Sequence, residues 1–372
     1  MTQPTPADAG PSRGFLAEIK DAVTTRAALL VLGVLALQLA FITSYVGAFH
    51  HPRPSGIPFA VAAPAARVAE RSAQQLDTLP GTPLDARAAK DEAAAMDWIL
   101  NREVDGALVV APSGTTDKLL VASGAGASLS QAVAEIVVAA EKAGGRTVRI
   151  VDVAPSAAGD GRGLSSFYVV VGWCVGGYLC AAILAISAGA RPANMHRAVI
   201  RLGALLVYAI VAGLLGTLIA GPVLGALPGS ILGLWGLGTL VVFAVGAITL
   251  AFQGLAGVVG IGLAILLVVV LGNPSAGGAY PYPLLPPFWK AIGPWLPPGA
   301  GTYAARSIAY FKGNDLTGPL LVLSGWAVLG SAVTVACAVF HQDRTGAAAG
   351  GGRPDGPEDP GLSGSTATPP GR

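Results

Sequence analysis

A chain of 372 residues that is 53% hydrophobic and only 12% charged carries about half the charge of an ordinary soluble domain. Its mean hydropathy of +0.62 excludes a single solvated globular unit and marks a multi-span membrane protein. The net charge of +2 says little by itself, and no nucleic-acid partner is expected.

Residues 1–12 are rich in Pro, Ala and Thr, a composition expected to be disordered. The following RGFLAEIKDAVTTR (residues 13–26) places Phe15, Leu16, Ile19 and Val23 on one helical face, with Arg13, Lys20 and Arg26 available to lipid headgroups. That pattern predicts a cytoplasmic interfacial helix, or else the plain basic flank of a membrane helix. Residues 27–47 hold no charged residue and are long enough to cross a hydrocarbon core of about 30 Å. Val46-Gly47-Ala48 resembles a signal-peptide cleavage pattern, but the apolar run exceeds the usual 7–15 residues of such a segment. An uncleaved anchor is therefore expected, and a mature N-terminus at Phe49 would contradict it.

Residues 48–164 are compatible with water. Strand-like runs lie at 57–63, 104–111, 118–122 and 147–153, and helical patterns at 65–79, 88–102 and 128–143. In the last of these Leu129, Val133, Ile136, Val137 and Ala140 recur at helical spacing. The alternation predicts a compact mixed α/β domain. Cys174, Cys180 and Cys337 all fall in predicted spans, so no disulfide staples this domain.

Five more spans are expected at 166–188, 202–222, 229–252, 255–272 and 317–340, within a membrane domain of residues 165–340. The segment RPANMHRAVIR (residues 191–201) carries three arginines and no acid, which places it in the cytoplasm by the positive-inside bias. Span parity then puts the α/β domain outside and both termini inside. The short turn near Gln253-Gly254 has no basic residue to support it and is the weakest point of this topology. The outer loop 273–315 contains PLLPPFWKAIGPWLPP, with Phe288, Trp289 and Trp295, and its prolines break any long helix. A re-entrant or surface-lying pair of short helices is expected there. The Gly/Pro-rich tail 341–372 is expected to be cytoplasmic and disordered. The predicted fold is an α-helical polytopic membrane protein of six spans, with an extracytoplasmic mixed α/β domain inserted between spans one and two.

The sequence contains no G-x-x-x-x-G-K-[ST] phosphate loop, H-E-x-x-H or G-x-S-x-G motif. Gly124-Ala-Gly126 reads as a strand-to-helix turn, and His50-His51 as interfacial packing rather than a metal site. Asp117, Asp152 and Asp160 have no histidine partner in view. No Asp, Glu, Lys or Arg falls between Arg201 and Lys290. Ion-coupled transporters place ionisable groups in the membrane, so this composition disfavours an ion-coupled pump. Small residues at Gly172-x-x-x-Gly176, Gly221-x-x-x-Gly225 and Gly229-x-x-x-Gly233 are candidates for close helix approach.

The layout resembles the membrane subunits of ABC type-2 exporters and the related YhgE/Pip-like (phage infection protein) family. The motif carrying that resemblance is Leu285-Pro286-Pro287-Phe288-Trp289, followed by Ile292-x-Pro294-x-Leu296-Pro297 and Arg306. In the α/β domain, Trp98–Arg102 running into Val104-Asp105-Gly106-Ala107-Leu108-Val109-Val110 is similar to a recurring segment of these proteins. The chain departs from them where residues 57–63 run into Pro64-Ala65-Ala66 instead of an acidic turn.

The resemblance implies a non-catalytic permease half without a cofactor or metal. It would pair with a second copy or a related half and be driven by a separate cytoplasmic ATP-binding subunit. Its candidate ATPase contacts are Arg191, His196, Arg197 and Arg201, though these arginines also serve to set topology. Its candidate outer-loop residues are Pro286, Phe288, Trp289, Pro294, Trp295, Pro297 and Arg306. The expected cargo is hydrophobic or amphipathic. The alternative is a non-transporting envelope protein whose external domain binds a partner, a cell-wall component or a phage.

Overall fold

The computed structural model describes residues 24–189 and 194–350. The predicted interfacial helix lies almost wholly outside that range. The first helix, α1 (Thr25–Phe49), begins where the Ala27 N–H donates to Thr24 Oγ1 at 3.1 Å. An uncapped helix start would leave that donor unsatisfied.

The α/β domain follows in the order β1 (Ile57–Ala62), α2 (Ala66–Asp77), β2 (Leu84–Ala89), α3 (Glu92–Leu100), β3 (Gly106–Val109), β4 (Thr116–Val121), α4 (Ala127–Ala143) and β5 (Thr147–Asp152). Its sheet has the order β2-β1-β3-β4-β5. Only the β3–β4 pair is antiparallel, so the sheet is mixed, as predicted. Side-chain alternation along β1 builds two cores. Ile57, Phe59 and Val61 face Leu76, Leu129, Val133 and Val137, while Ala60 and Ala62 face Ile99 and Val104 on the other side. Asp117 is 1% exposed and is held by Arg146 through two contacts of 2.5 Å and by the Ala111 N–H at 2.8 Å. A carboxylate so deeply placed needs those donors.

One strand differs from expectation. Leu84–Ala89 (LDARAA) is an edge strand, where the sequence predicts a helix from residue 88. Alanine and aspartate are poor strand formers, so the run reads as part of the alanine-rich helix that follows. The boundary is set at Asp91, whose carboxylate accepts from the Ala94 N–H at 2.8 Å.

The membrane part contains α5 (Ser165–Ala188), α6 (Met195–Leu218, continued by a wide turn at Ile219–Val223), α7 (Ile231–Ala256), α8 (Val259–Ser275) and α11 (Thr317–Gly350), with two short outer-loop helices before α11. Five helices among the described residues are long and apolar enough to cross a membrane, not the six predicted. The segment predicted as the fifth span is the shorter α8, which rises only about 25 Å. Gly257, at φ +62°, turns the chain directly after α7, and Gly260 rests on the Phe252 backbone. The turn therefore takes residues that the hydropathy profile assigns to the span. Even so, α8 brings the chain back toward the outer side, where the Ser44 hydroxyl bonds the Val270 carbonyl near the outer end of α1. The last helix continues to Gly350, ten residues past its predicted end; residues 351–372 lie outside the described residues.

Helix α7 is the centre of the bundle and packs against α5, α6 and α11. The close crossings are not at the predicted G-x-x-x-G pairs alone. A Cβ at Gly213 would lie 2.6 Å from the Thr239 backbone nitrogen, and one at Gly238 would lie 3.0 Å from Gly213 Cα. By contrast, a Cβ at Gly172 meets nothing within 4 Å. Gly213→Ala is expected to cost about 1–2 kcal/mol in thermal unfolding in detergent, because the rigid backbone opposite cannot yield. Gly172→Ala should stay within about 0.5 kcal/mol of the parent. Equal effects at the two sites would contradict this packing.

Candidate functional site

The outer loop does not lie apart from the α/β domain. It contributes Leu284 to one sheet core and Phe311 to the other. Two short helices, α9 (Pro287–Ile292) and α10 (Pro297–Tyr310), carry it back toward α11. The Trp326 indole N–H, about 14 Å along α11, donates to the Trp295 carbonyl at 2.8 Å. The loop is thus tied to α11 on its Trp295 side, and most of α10 is buried.

Where the domain meets the loop, a cavity of about 240 Å³ is lined by Arg102, Asp105, Tyr282, Lys290, Tyr303 and Arg306, among others. Arg102 follows α3 at φ +63°, an uncommon conformation for a residue with a side chain. Its Nη1 donates to the Tyr303 carbonyl at 2.9 Å and to Ser307 Oγ at 2.7 Å. The guanidinium also sits 3.5 Å over the Tyr303 ring centroid. Asn314 adds a second clamp, donating to the Leu100 carbonyl and to Asn101 Oδ1 at 3.0 Å. Arg102→Ala is expected to lower the unfolding free energy by about 2 kcal/mol and to expose the 101–105 connection to protease, since a charged donor and a ring contact go together. Unchanged proteolysis would show that Asn314, with Leu284 and Phe311 plugging the two sheet cores, suffices.

Arg306 is 4% exposed. Its Nη1 donates to the Gly277 carbonyl at 2.7 Å, and its Nη2 to the carbonyls of Gly278 (2.9 Å) and Gly163 (3.2 Å). Its Nε has no partner, nor does the buried Tyr282 hydroxyl. Burial, followed by repulsion from Arg102, brings the Arg306 pKa down to about 10, so it stays charged at neutral pH. Lys290 donates to the Ser55 carbonyl at 3.0 Å. The Asp105 N–H is tied to the Pro58 carbonyl at 2.8 Å as the chain enters β3. Burial pushes the Asp105 carboxyl up to about 6, against the attraction of Arg102 and Lys290. The site therefore combines three cations, one reluctant carboxylate and two unpartnered polar atoms.

Of the outer-loop residues predicted from the sequence, Arg306 lines the cavity and Pro297 opens the buried helix α10. Pro286 precedes α9, and Phe288 and Trp289 stack edge to face at 5.0 Å. Phe288 is 57% and Trp295 68% exposed, and Pro294 is exposed beside them. Such aromatics suit the membrane–water interface. The cytoplasmic candidates separate likewise. Arg191 lies outside the described residues. His196 and Arg197 are exposed on the first turn of α6, which Asn194 caps through the Arg197 N–H at 2.9 Å. Arg201 is buried and donates to the Gly189 carbonyl at 2.8 Å, a structural position.

Sequence reasoning missed Tyr282, Lys290 and Tyr303 as site residues, and gave Arg102 and Asp105 no role in a site. The signal at hand was Asp105 set immediately before an apolar strand, two residues after a basic–acidic pair. No periodicity marks residues that meet across 200 positions of chain. Among the described residues, no group of three or more His, Cys, Asp and Glu side chains could hold a metal.

Fold and site together define a multi-pass membrane protein with an inserted extracytoplasmic α/β domain packed against the loop of residues 273–315. Compared with family models, curated proteins and solved structures, the chain matches none of them.

Proposed function

We propose that this chain is the permease subunit of an ABC-type exporter moving a hydrophobic or amphipathic molecule, powered by a separate cytoplasmic ATPase. The observation that carries this reading is an apolar cleft of about 530 Å³ between α1 and α8, lined by Leu30, Val34, Leu37, Val259, Leu263 and Leu266 among others. Helix α1 meets the bundle chiefly at its outer end, and only 6% of its most apolar stretch is buried, against 56% for α7. A path open to lipid along its length suits a greasy cargo better than an ion, whose desolvation in such a lining has no compensation. In this reading two copies, or this chain and a related half, enclose the path, and the exposed His196 and Arg197 meet the ATPase.

The test is co-expression with candidate ATPase subunits followed by purification in mild detergent. An ATPase should co-purify with the parent chain, and Arg197→Ala should reduce its recovery several-fold at unchanged expression. No associated ATPase, together with normal cell function after loss of every candidate, would instead favour an envelope protein whose outer domain binds a partner.

A further inference from the structure

Whether or not the chain exports anything, a second cleft, where α1 leaves the membrane, has the chemistry of a lipid headgroup site. The apolar run of α1 ends at Phe49 and its 23 residues rise about 35 Å, enough to cross the hydrocarbon core. Residues 50–55 therefore leave the membrane at headgroup level. A cleft of about 780 Å³ opens there between this segment, the turn 80–83 before β2 and the start of α9. Hydrogen bonds hold its walls together. The Ser55 N–H donates to the Pro283 carbonyl at 3.0 Å, and Lys290 Nζ donates to the Ser55 carbonyl at 3.0 Å. The N–H groups of Gly56 and Ile57 donate to the carbonyls of Thr82 and Pro83, at 3.0 and 2.9 Å. Pro54, Pro80, Pro83, Pro286 and Pro287 line the cleft, and their fixed φ leaves its walls little freedom to lose when a ligand enters.

The ionisable groups of this lining are His51, Arg53 and Lys290, with no carboxylate among the described residues that form it. Lys290 also attracts Asp105 of the neighbouring cavity, so its charge is shared. Arg53 is exposed and forms no ion pair among the described residues, which leaves one cation to the cleft alone. His50 is committed to α1, its Nδ1 donating to the Val46 carbonyl at 2.9 Å, whereas His51 is exposed. Ile136 and Leu285 set an apolar wall beside these donors.

We propose that this cleft binds the headgroup of an anionic phospholipid, with the Arg53 guanidinium and the His51 ring as donors and Lys290 adding charge. Guanidinium and phosphate match as a two-toothed, charge-assisted pair. A singly charged phosphodiester such as that of phosphatidylglycerol balances the unshared charge of Arg53. A zwitterionic headgroup brings an ammonium of its own and loses that balance. The volume lies within the range of about 300–1,000 Å³ that holds a small organic ligand, room for a phosphodiester and its glycerol. Position favours a lipid over a soluble ester. The cleft directly follows α1, and Phe288 of α9 stands 57% exposed beside it, as aromatics at a membrane interface do.

Purified, delipidated full-length protein in a non-ionic detergent is titrated with phosphatidylglycerol, phosphatidylcholine or the water-soluble headgroup glycerophosphoglycerol, and thermal stabilisation is read. Phosphatidylglycerol is expected to half-saturate at a concentration roughly fivefold or more below phosphatidylcholine. The soluble headgroup should give no response at the same concentrations. Arg53→Gln should lower the preference for the anionic lipid about fivefold, the worth of one basic residue near a charged membrane surface. Its lipid-free unfolding should match the parent, because Arg53 is exposed and holds no bond that folding needs. Arg149→Gln removes an exposed charge from β5, at the opposite edge of the sheet from β2, and should keep the full preference. Equal responses to the two lipids would overturn the proposal, as would an undiminished preference in Arg53→Gln or an equal loss in Arg149→Gln. A response to the soluble headgroup as strong as that to phosphatidylglycerol would overturn the assignment to a lipid.

Discussion

Arg306→Ala is expected to be the most damaging single substitution at the junction, lowering stability by about 3–5 kcal/mol. The guanidinium satisfies the carbonyls of Gly163, Gly277 and Gly278, which belong to the domain exit and to the start of the outer loop. Truncation leaves all three buried carbonyls without that donor, at about 1–3 kcal/mol for each orphaned group before relaxation. Relief of the repulsion from Arg102 returns part of that cost, which keeps the total below the simple sum. Arg306→Lys should recover only a fraction, because one ammonium on a flexible stem cannot address three carbonyls with the fork of a guanidinium. Thermal unfolding in detergent and protease sensitivity of the linker at 154–164 are the readouts. A loss no larger than that of the exposed Arg197→Ala, expected within about 0.5 kcal/mol, would mean that the two sheet plugs and not Arg306 hold the junction.

The parts of this fold that follow from local pattern were legible in the sequence. Four of the five strands and the three domain helices appear near their predicted places, because alternation and 3.6-residue spacing report which face is buried. The full-length spans were readable for the same reason: a run such as residues 231–250 admits no charge. Two elements failed on competing local signals. Residues 84–89 lack strand formers and owe their place to pairing with β1, a contact between distant positions. Residues 255–258 are as apolar as the span around them, and only the positive φ at Gly257 turns them out of it. The site was legible in one residue. Arg306 was singled out only as the arginine that closes the outer-loop motif carrying the resemblance, whereas Arg102, Asp105 and Tyr282 acquire meaning only when the sheet lands on the loop. Proline and aromatic content announced that the loop was unusual, but not that Leu284 and Phe311 would plug the two sheet cores.

The second large effect concerns Asp105 and depends on pH. Its carboxyl titrates at about 6 in the folded protein, against an ordinary value of 3.8, because burial outweighs the pull of Arg102 and Lys290. Below about pH 4 the group is protonated whether the chain is folded or not, and it contributes nothing to the pH dependence. Between 4 and 6 the folded protein holds a proton that the unfolded chain has released, so stability falls as pH rises. Above 6 the penalty is complete, about 3 kcal/mol from the two pKa values and about 2 kcal/mol after allowance for partial solvent access. Asp105→Asn removes the charge and keeps the shape. It should therefore unfold like the parent at pH 4 and be about 2–3 kcal/mol more stable at pH 8, with the difference developing around pH 6. A difference that does not change between pH 4 and 8 would show a well-solvated carboxylate and an ordinary pKa. If the predicted curve is found, the chain keeps at neutral pH a group that weakens its own fold.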